Sequence, residues 1–389
     1  MQAPLKDKMA LVFRWILIVS FFVVLFAPGL TMLCSPRQTW SVQEKRRLAD
    51  APSLPSSLAD TGRFFASLSA YFDDHFGFRK FLLHRYHREM DKRFSQTGAP
   101  NKVHKGLDGW YYMDQLKMLE DFRGETPLTT AQIERWLEIQ DRKAAWLHQR
   151  GIRFLLAAAP NKQSIYPEFV MQEAEKIRGT TRFDQLRNHL HGDWPPYLVD
   201  LHQPLLAGKK NRRLYLKSDT HWNPYGAYIA FKTLFARVAL WFPREPFTTV
   251  FAFDKEKTVP GGDLSIMINR KDDIRETVPS LAPYRKCARF LPIEVSLSHV
   301  SSQPDQYFIR GCPDRALTAI VFRDSFFSDL EPFFSENCKQ IICLWKDYDQ
   351  NNIEEILARV KPDIVFEIKA ERHFFDTVTS LPGVSRTAR

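Results

Sequence analysis

Hydrophobic and polar positions divide this chain into three regimes. The first is an apolar run, Trp15 to Leu33, nineteen residues without a charge, just long enough to cross a bilayer as a helix, with Pro28 and Gly29 as potential points of ending or kinking. Ser35 to Leu58 is polar and proline-bearing and reads as a linker carrying the charged cluster Glu44-Lys45-Arg46-Arg47. From Asp60 to Phe94 the pattern turns helical: Phe64, Phe65, Leu68, Tyr71, Phe72 and Phe76 recur at helical spacing, a break falls near Gly77, and Leu82, Leu83 and Met90 resume it. These aromatic residues are expected in a core. Lys105 to Tyr112 predicts a glycine-punctuated turn followed by a short aromatic strand. A long helix is predicted from Thr130 to Arg150, with Thr129 and Gln132 as a capping box and Ile133, Trp136, Leu137 and Ile139 on its apolar face.

The third regime alternates short apolar runs with helices. Gly151 to Ala159, Tyr197 to Val199, Ala316 to Phe322, Gln340 to Trp345 and Asp363 to Ile368 have strand length and little polar interruption. Between them, Pro224 to Trp241 reads as a helix with Asn223 as N-cap and Pro224 at its first position, and Asn352 to Val360 as another with Asn352 and Glu355 as a capping box. Continuously apolar strands separated by helices predict an α/β fold with a mainly parallel sheet covered on both faces. The expected division is 1–34 as cytoplasmic tip and membrane helix, 35–58 as linker, and 59–389 as one α/β domain.

Composition adds a compartment. Lys6, Lys8 and Arg14 precede the apolar run, which favours a cytoplasmic N-terminus with the remainder exported, and no small-residue cleavage site follows, so an uncleaved signal anchor is expected rather than a signal peptide. An oxidising compartment permits disulfides, and Cys287, Cys312, Cys338 and Cys343 admit three pairings, with Cys34 at the membrane edge. A net charge of +10 fits either a solvated basic surface or a polyanionic partner such as lipid headgroups or an acidic polysaccharide. No basic-aromatic nucleic-acid motif, Walker loop or dinucleotide fingerprint occurs, and neither His84-x-x-His87 nor His189-x-His191 has a matching ligand set; no nucleic acid, metal or cofactor is expected.

Two segments about a hundred residues apart carry the candidate chemistry: Ser218-Asp219-Thr220-His221-Trp222-Asn223-Pro224 and Arg323-Asp324-Ser325-Phe326. A serine hydroxyl becomes a useful nucleophile beside a histidine whose other ring nitrogen is held by a carboxylate. Asp219 and His221, two positions apart in an extended loop, point the same way and can supply that pair. Ser325 follows an apolar strand, and parallel sheets place their sites at the carboxyl ends of strands, where its own N–H can bind an oxyanion. Asp324 is expected to brace the turn.

These motifs resemble the periplasmic O-acetyltransferases of bacterial exopolysaccharides, of the alginate AlgJ and AlgX type, whose fold is similar to SGNH hydrolases. The resemblance runs through Glu44 to Ala49, Phe76 to Arg79, Gly106 to Tyr111, Pro160-Asn161-Lys162 with Tyr166-Pro167-Glu168, Asp219 to Asn223, Gly262-Asp263-Leu264, Arg323 to Phe326, and Lys361-Pro362-Asp363 with Glu371-Arg372. It implies an SGNH hydrolase-like three-layer domain. It also implies Asp219, His221 and Ser325 as a triad, an acetyl-serine intermediate, an exopolysaccharide acceptor such as alginate, and a multi-spanning membrane acyltransferase (MBOAT type) as acetyl source at the inner membrane. An anchor with one catalytic domain is the AlgJ-like arrangement. Arg323 stands where such hydrolases carry glycine, and Asn161 or Gly262 would replace their oxyanion residues. Lys162, Tyr166 and Arg372 are candidates to meet an anionic sugar, and Trp222 to stack on one. The rival expectations are a carbohydrate acetyl esterase of the same fold and a non-catalytic scaffold of a polysaccharide assembly complex.

Overall fold

Strands buried along nearly their whole length, with alternate residues entering opposite faces, build the main sheet. The computed structural model describes residues 5–36, 38–41, 46–94, 103–171, 177–284, 286–293 and 306–379. Within these, the strands Arg153–Ala159 (β1), Leu198–Val199 (β2), Arg289–Leu291 (β3), Tyr307–Gly311 (β4), Thr318–Arg323 (β5), Gln340–Leu344 (β6) and Ile364–Ala370 (β7) form one sheet in the order β2-β1-β7-β5-β6-β4-β3. Five strands are parallel; β4 and β3 extend the β6 side antiparallel. Leu155, Ala157, Ala319, Val321, Ile341, Phe366 and Ile368 enter one hydrophobic core, and their neighbours Phe154, Leu156, Ile320, Phe322, Ile342 and Val365 enter a second on the other face. The α/β reading with a mainly parallel sheet therefore holds.

The flanking helices follow their sequence signals with one exception. Thr130–His148 starts on the capping box of Thr129 and Gln132, and Pro224–Trp241 starts on Asn223, whose side chain accepts from the N–H groups of Tyr225 and Gly226. The helix after β6 runs Gln350–Leu357 and is capped by Asp349, not by Asn352. Asp349 Oδ1 accepts from the N–H groups of Asn351 and Asn352 at 2.9 and 3.3 Å, which moves the start upstream and leaves Asn352 buried inside the helix.

The described residues fall into two compact units, one from Met1–Ala99 with Ile266–Arg270, the other from Pro100–Ser265 with Lys271–Thr387. The helices Thr61–His75 and Arg79–Phe94 group with the N-terminal helix in the first of these units. That first helix, Leu5–Cys34, runs through Pro28 without a break, and Thr31 Oγ1 donates to the Ala27 and Pro28 carbonyls at 2.9 Å. Met9–Cys34 has the length and hydropathy of a membrane span and buries none of it. Part of the expected linker is ordered: Trp40–Ser41 pairs with Arg46–Arg47, and Arg46 forms an ion pair with Asp74. Glu44 and Lys45 lie outside the described residues. The aromatic residues expected in a core along Thr61–His75 are not there, since no residue of that helix is buried.

Candidate active site

The carboxyl ends of β1, β5 and β7 meet at one place. Arg323 lies beside Ile368 and Ala159 beside Ala370, so Pro160-Asn161, Asp324-Ser325 and Glu371-Arg372 leave the sheet side by side. Carboxylates tie the three exits together. Asp324 Oδ2 accepts from the Ala370 N–H at 2.6 Å while Oδ1 accepts from the Phe326 N–H at 2.9 Å, and Glu371 Oε2 accepts from the Asn161 N–H and from Ser164 Oγ, both at 2.7 Å. Asp324 thus braces the turn and Ser325 opens a short 3-10 turn, Ser325–Asp329.

The second segment arrives as a pinned loop. Tyr215 and Trp222 bridge across it, and the Asn223 N–H donates to the Leu214 carbonyl at 2.7 Å before the helix begins. Lys162 Nζ donates to the carbonyls of Leu216, Lys217 and Asp219 at 3.1, 2.9 and 2.6 Å. Glu276 accepts from the N–H groups of Lys217 and Ser218 at 2.7 and 2.8 Å. Asp263 accepts from the Thr220 N–H and hydroxyl at 2.8 and 2.7 Å, and its own N–H donates to Asp219 Oδ2 at 2.9 Å. A side chain on Gly262 would overlap the Asp219 carboxylate, so glycine there is a requirement of close approach. Trp222 Nε1 then donates to the Phe326 carbonyl at 3.1 Å and its ring packs edge-on against Phe326, joining the loop to the Ser325 turn.

Asp219, His221 and Ser325 are brought into line. His221 Nδ1 lies 2.6 Å from Asp219 Oδ1, and His221 Nε2 lies 2.7 Å from Ser325 Oγ. Burial by itself would raise the Asp219 carboxyl, but hydrogen bonds from the His221 ring and backbone and from the Asp263 N–H hold it well below the usual carboxylate range. Burial works against the charged form of His221, yet the Asp219 hydrogen bond and charge outweigh it and raise the imidazole, while the nearby Arg372 pulls it back. No other group among the described residues takes the Ser325 N–H. Asp329, one turn on, is pushed up to about 6 by burial.

The remaining sequence candidates are placed differently from one another. Arg372 is near the relay, its guanidinium 5.6 Å from the Phe326 ring centre and its Nη1 buried without a partner. Asn161 sits at the β1 exit with its Oδ1 buried and unpartnered. Lys162, Tyr166 and Trp222, candidates to meet a sugar, and Arg323 before the Asp-Ser pair are packed inside the fold. The Lys162 ammonium caps the three loop carbonyls and is pushed down to about 7 by burial, offset by Asp219, Asp263 and Glu276. Tyr166 stacks on Trp110 and accepts from the Leu214 N–H at 2.9 Å; Trp222 is fully buried. Arg323 is buried with its guanidinium 4.1 Å from the Trp345 ring centre, which explains an arginine before Asp-Ser: it is a packing residue turned onto aromatic rings. Gly262 is not an oxyanion donor, because its N–H goes to Ser218 Oγ at 3.0 Å. Glu276, which no sequence pattern marked, is a loop anchor visible only in the fold.

Two groups of three potential cation ligands occur among the described residues. In Cys287, Cys312 and Asp314 both sulfurs are joined in a disulfide; in Asp219, His221 and Asp263 the Asp219 carboxylate pairs with the His221 ring and the Asp263 carboxylate accepts from Thr220.

Residues 103–286 match the family model described as the SGNH hydrolase-like domain of acetyltransferase AlgX. That segment is similar to an AlgX-type SGNH hydrolase-like domain. The match includes Asp219, His221 and the Gly262-Asp263 pair; Ser325 lies beyond it. Among curated proteins, the chain is 27% identical over 210 residues to a "probable alginate O-acetylase AlgJ" of Pseudomonas syringae pv. tomato, covering 53% of this chain and 51% of that protein. It is 27% identical over 223 residues to the protein of the same description in Pseudomonas aeruginosa, covering 54% and 53%. The alignment thus spans about half the length of these relatives. Among solved structures, the O-acetyltransferase domain of Pseudomonas putida AlgJ is similar with a TM-score of 0.45 and 19% identity, covering 70% of this chain and 92% of that one.

Proposed function

We propose that this protein is an O-acetyltransferase that moves acetyl groups onto hydroxyls of an exopolysaccharide, alginate or a similar polymer, through an acetyl-serine intermediate. The observation that carries the proposal is the continuous relay from Asp219 through His221 to Ser325, with both hydrogen bonds in place at 2.6 and 2.7 Å. In the first half-reaction His221 Nε2 takes the Ser325 proton as Oγ attacks the acetyl carbonyl of a donor ester. The donor's C–O bond then breaks and its oxygen leaves with that proton. In the second, a sugar hydroxyl gives its proton to the same nitrogen and attacks the acetyl carbon, and Ser325 Oγ departs and recovers the proton. Asp219 holds the ring tautomer and balances the imidazolium. The Ser325 N–H, with the Asn161 side chain as second donor, stabilises the oxyanion. Arg372, cationic beside the relay, suits the carboxylate of an acidic sugar.

The apolar helix Leu5–Cys34 serves in this reading as a signal anchor in a bacterial inner membrane, with the remainder of the chain in the periplasm. A multi-spanning acyltransferase on that membrane would supply the acetyl group. The test is transfer from a chromogenic acetyl ester to oligouronates by the detergent-solubilised full chain, with product analysis by mass. Acetylated sugar is expected with the native chain and none with Ser325→Ala. Undiminished transfer in Ser325→Ala, or acetate release that ignores the added sugar, would overturn it.

A further inference from the structure

The helices Thr61–His75 (α2) and Arg79–Phe94 (α3) take no part in the chemistry above. We propose that the turn joining them is a second membrane element, inserted at the outer surface of the bilayer beside the N-terminal helix and held there by anionic phospholipid headgroups. The inference rests on the reading of that N-terminal helix as a membrane anchor.

Each helix leaves an apolar stripe uncovered. On α2 it is Phe65, Leu68 and Phe72, exposed by 65, 39 and 46% and spaced i, i+3, i+7. Around the turn and along α3 it is Phe78, Phe81, Leu82 and Tyr86, exposed by 48, 62, 49 and 52% and spaced i, i+3, i+4, i+8. Such spacing puts Phe65, Leu68 and Phe72 on one face of α2 and Phe81, Leu82 and Tyr86 on one face of α3, with Phe78 in the turn before it. Contiguous aromatic exposure of this kind marks a surface that is covered in use.

The position of the turn along the N-terminal helix says what covers it. Gly77, in the turn, packs so closely on the anchor that a Cβ would overlap the Thr31 hydroxyl and the Pro28 carbonyl. Those residues lie three and six positions before the helix end at Cys34. At about 1.5 Å per residue, the turn therefore sits roughly 5–9 Å below that end. Arg14 limits the opposite end of the uncharged stretch, and the twenty residues from Trp15 to Cys34 are what a hydrocarbon core needs, so Pro28 and Thr31 lie within its outermost part. Interfacial helices bury an apolar face by about 5–10 Å, the same depth. Charge agrees: Arg79, Lys80, Arg85 and Arg88 stand against Glu89 alone between Arg79 and Met90, a basic flank beside the aromatic stripe. The exposed stripe matches in chemistry the exposed apolar surface of the anchor, where Val24, Leu30 and Leu33 are also uncovered.

The experiment uses the full chain with Cys34→Ser, reconstituted in phosphatidylcholine vesicles containing phosphatidylglycerol, with an environment-sensitive fluorophore on single cysteines. Phe72→Cys and Phe81→Cys report the proposed surface, Ala70→Cys the opposite side of α2, and Val24→Cys the anchor. Phospholipids spin-labelled along the acyl chain should quench emission at positions 72, 81 and 24 and spare position 70, and omitting phosphatidylglycerol should weaken quenching at 72 and 81 but not at 24. If 72 and 81 behave like 70 while 24 is quenched, the turn is not in lipid and the proposal fails with the anchor intact. Blue-shifted but unquenched emission at 72 and 81 assigns the stripe to a protein partner or a second copy and equally overturns it. If 24 itself escapes quenching, the anchor falls and takes this inference with it.

Discussion

At the scale of single residues, the site is a set of charges whose burial would be costly without their partners. Asp219 keeps its charge because His221 and the Asp263 N–H donate to it, and His221 is raised because Asp219 faces it. Under the proposed mechanism the imidazole must be neutral to take the Ser325 proton, so activity should be lost as pH falls through a His221 pKa raised above the ordinary value of about 6.5. We expect kcat/KM to rise with pH along a limb centred above that value. Asp219→Asn should lower kcat on the order of 10⁴-fold by releasing the tautomer, and should move the limb to lower pH. A limb that stays in place would show that Asp219 does not set the imidazole. The meeting of Asp219, His221 and Ser325 was legible in outline because a carboxylate, an imidazole and a hydroxyl in such segments are recognisable residue types. Lys162, Tyr166, Trp222 and Arg323 were legible only as polar or aromatic residues near those motifs. Whether such a side chain faces a substrate or a backbone carbonyl depends on neighbours that local sequence does not contain.

At the scale of elements, the geometry depends on two closely packed pieces, the loop from Leu214 to Asn223 and the Gly262-Asp263 turn. Gly262→Ala should push its Cβ into the Asp219 carboxylate and shift the relay, and a displacement near 1 Å costs about 10²-fold in rate. The loss should appear in kcat with KM little changed, measured beside a melting curve that shows the chain still folded; full activity in this variant would refute the close approach. Most elements were readable beforehand, since Thr129 with Gln132 and Asn223 with Pro224 carry helix starts locally. The start falls at Asp349 although Asn352 with Glu355 also satisfies the capping pattern, because the Asp349 carboxylate takes the N–H groups of Asn351 and Asn352. The aromatic residues of Thr61–His75 have the same periodicity whether a core or a membrane covers them, so spacing could not tell which.

At the scale of the whole molecule, the sequence left three pairings open among four cysteines, and the fold joins Cys287 to Cys312 and leaves Cys338 and Cys343 buried and free. A bridge across a separation of 25 residues should contribute about 3 kcal/mol, so reduction should lower the denaturation midpoint correspondingly while leaving the relay's strands in place. An unchanged midpoint under reducing conditions would show that the bridge does not stabilise the fold. What the sequence by itself determined is everything with a short period or a local partner: apolar strands and helices in alternation, the apolar N-terminal helix, and the residue types of the relay. What only the tertiary structure decided is the set of long-range meetings. These are the strand order that puts the exits of β1, β5 and β7 together, the capture of the Asp219 loop by Lys162 and Glu276, and the grouping of residues 61–94 with the N-terminal helix. The physical reason is the same for all three. Propensity, capping and alternation act over a few residues, whereas burial and the pairing of buried charge are settled by whatever distant chain arrives to exclude water.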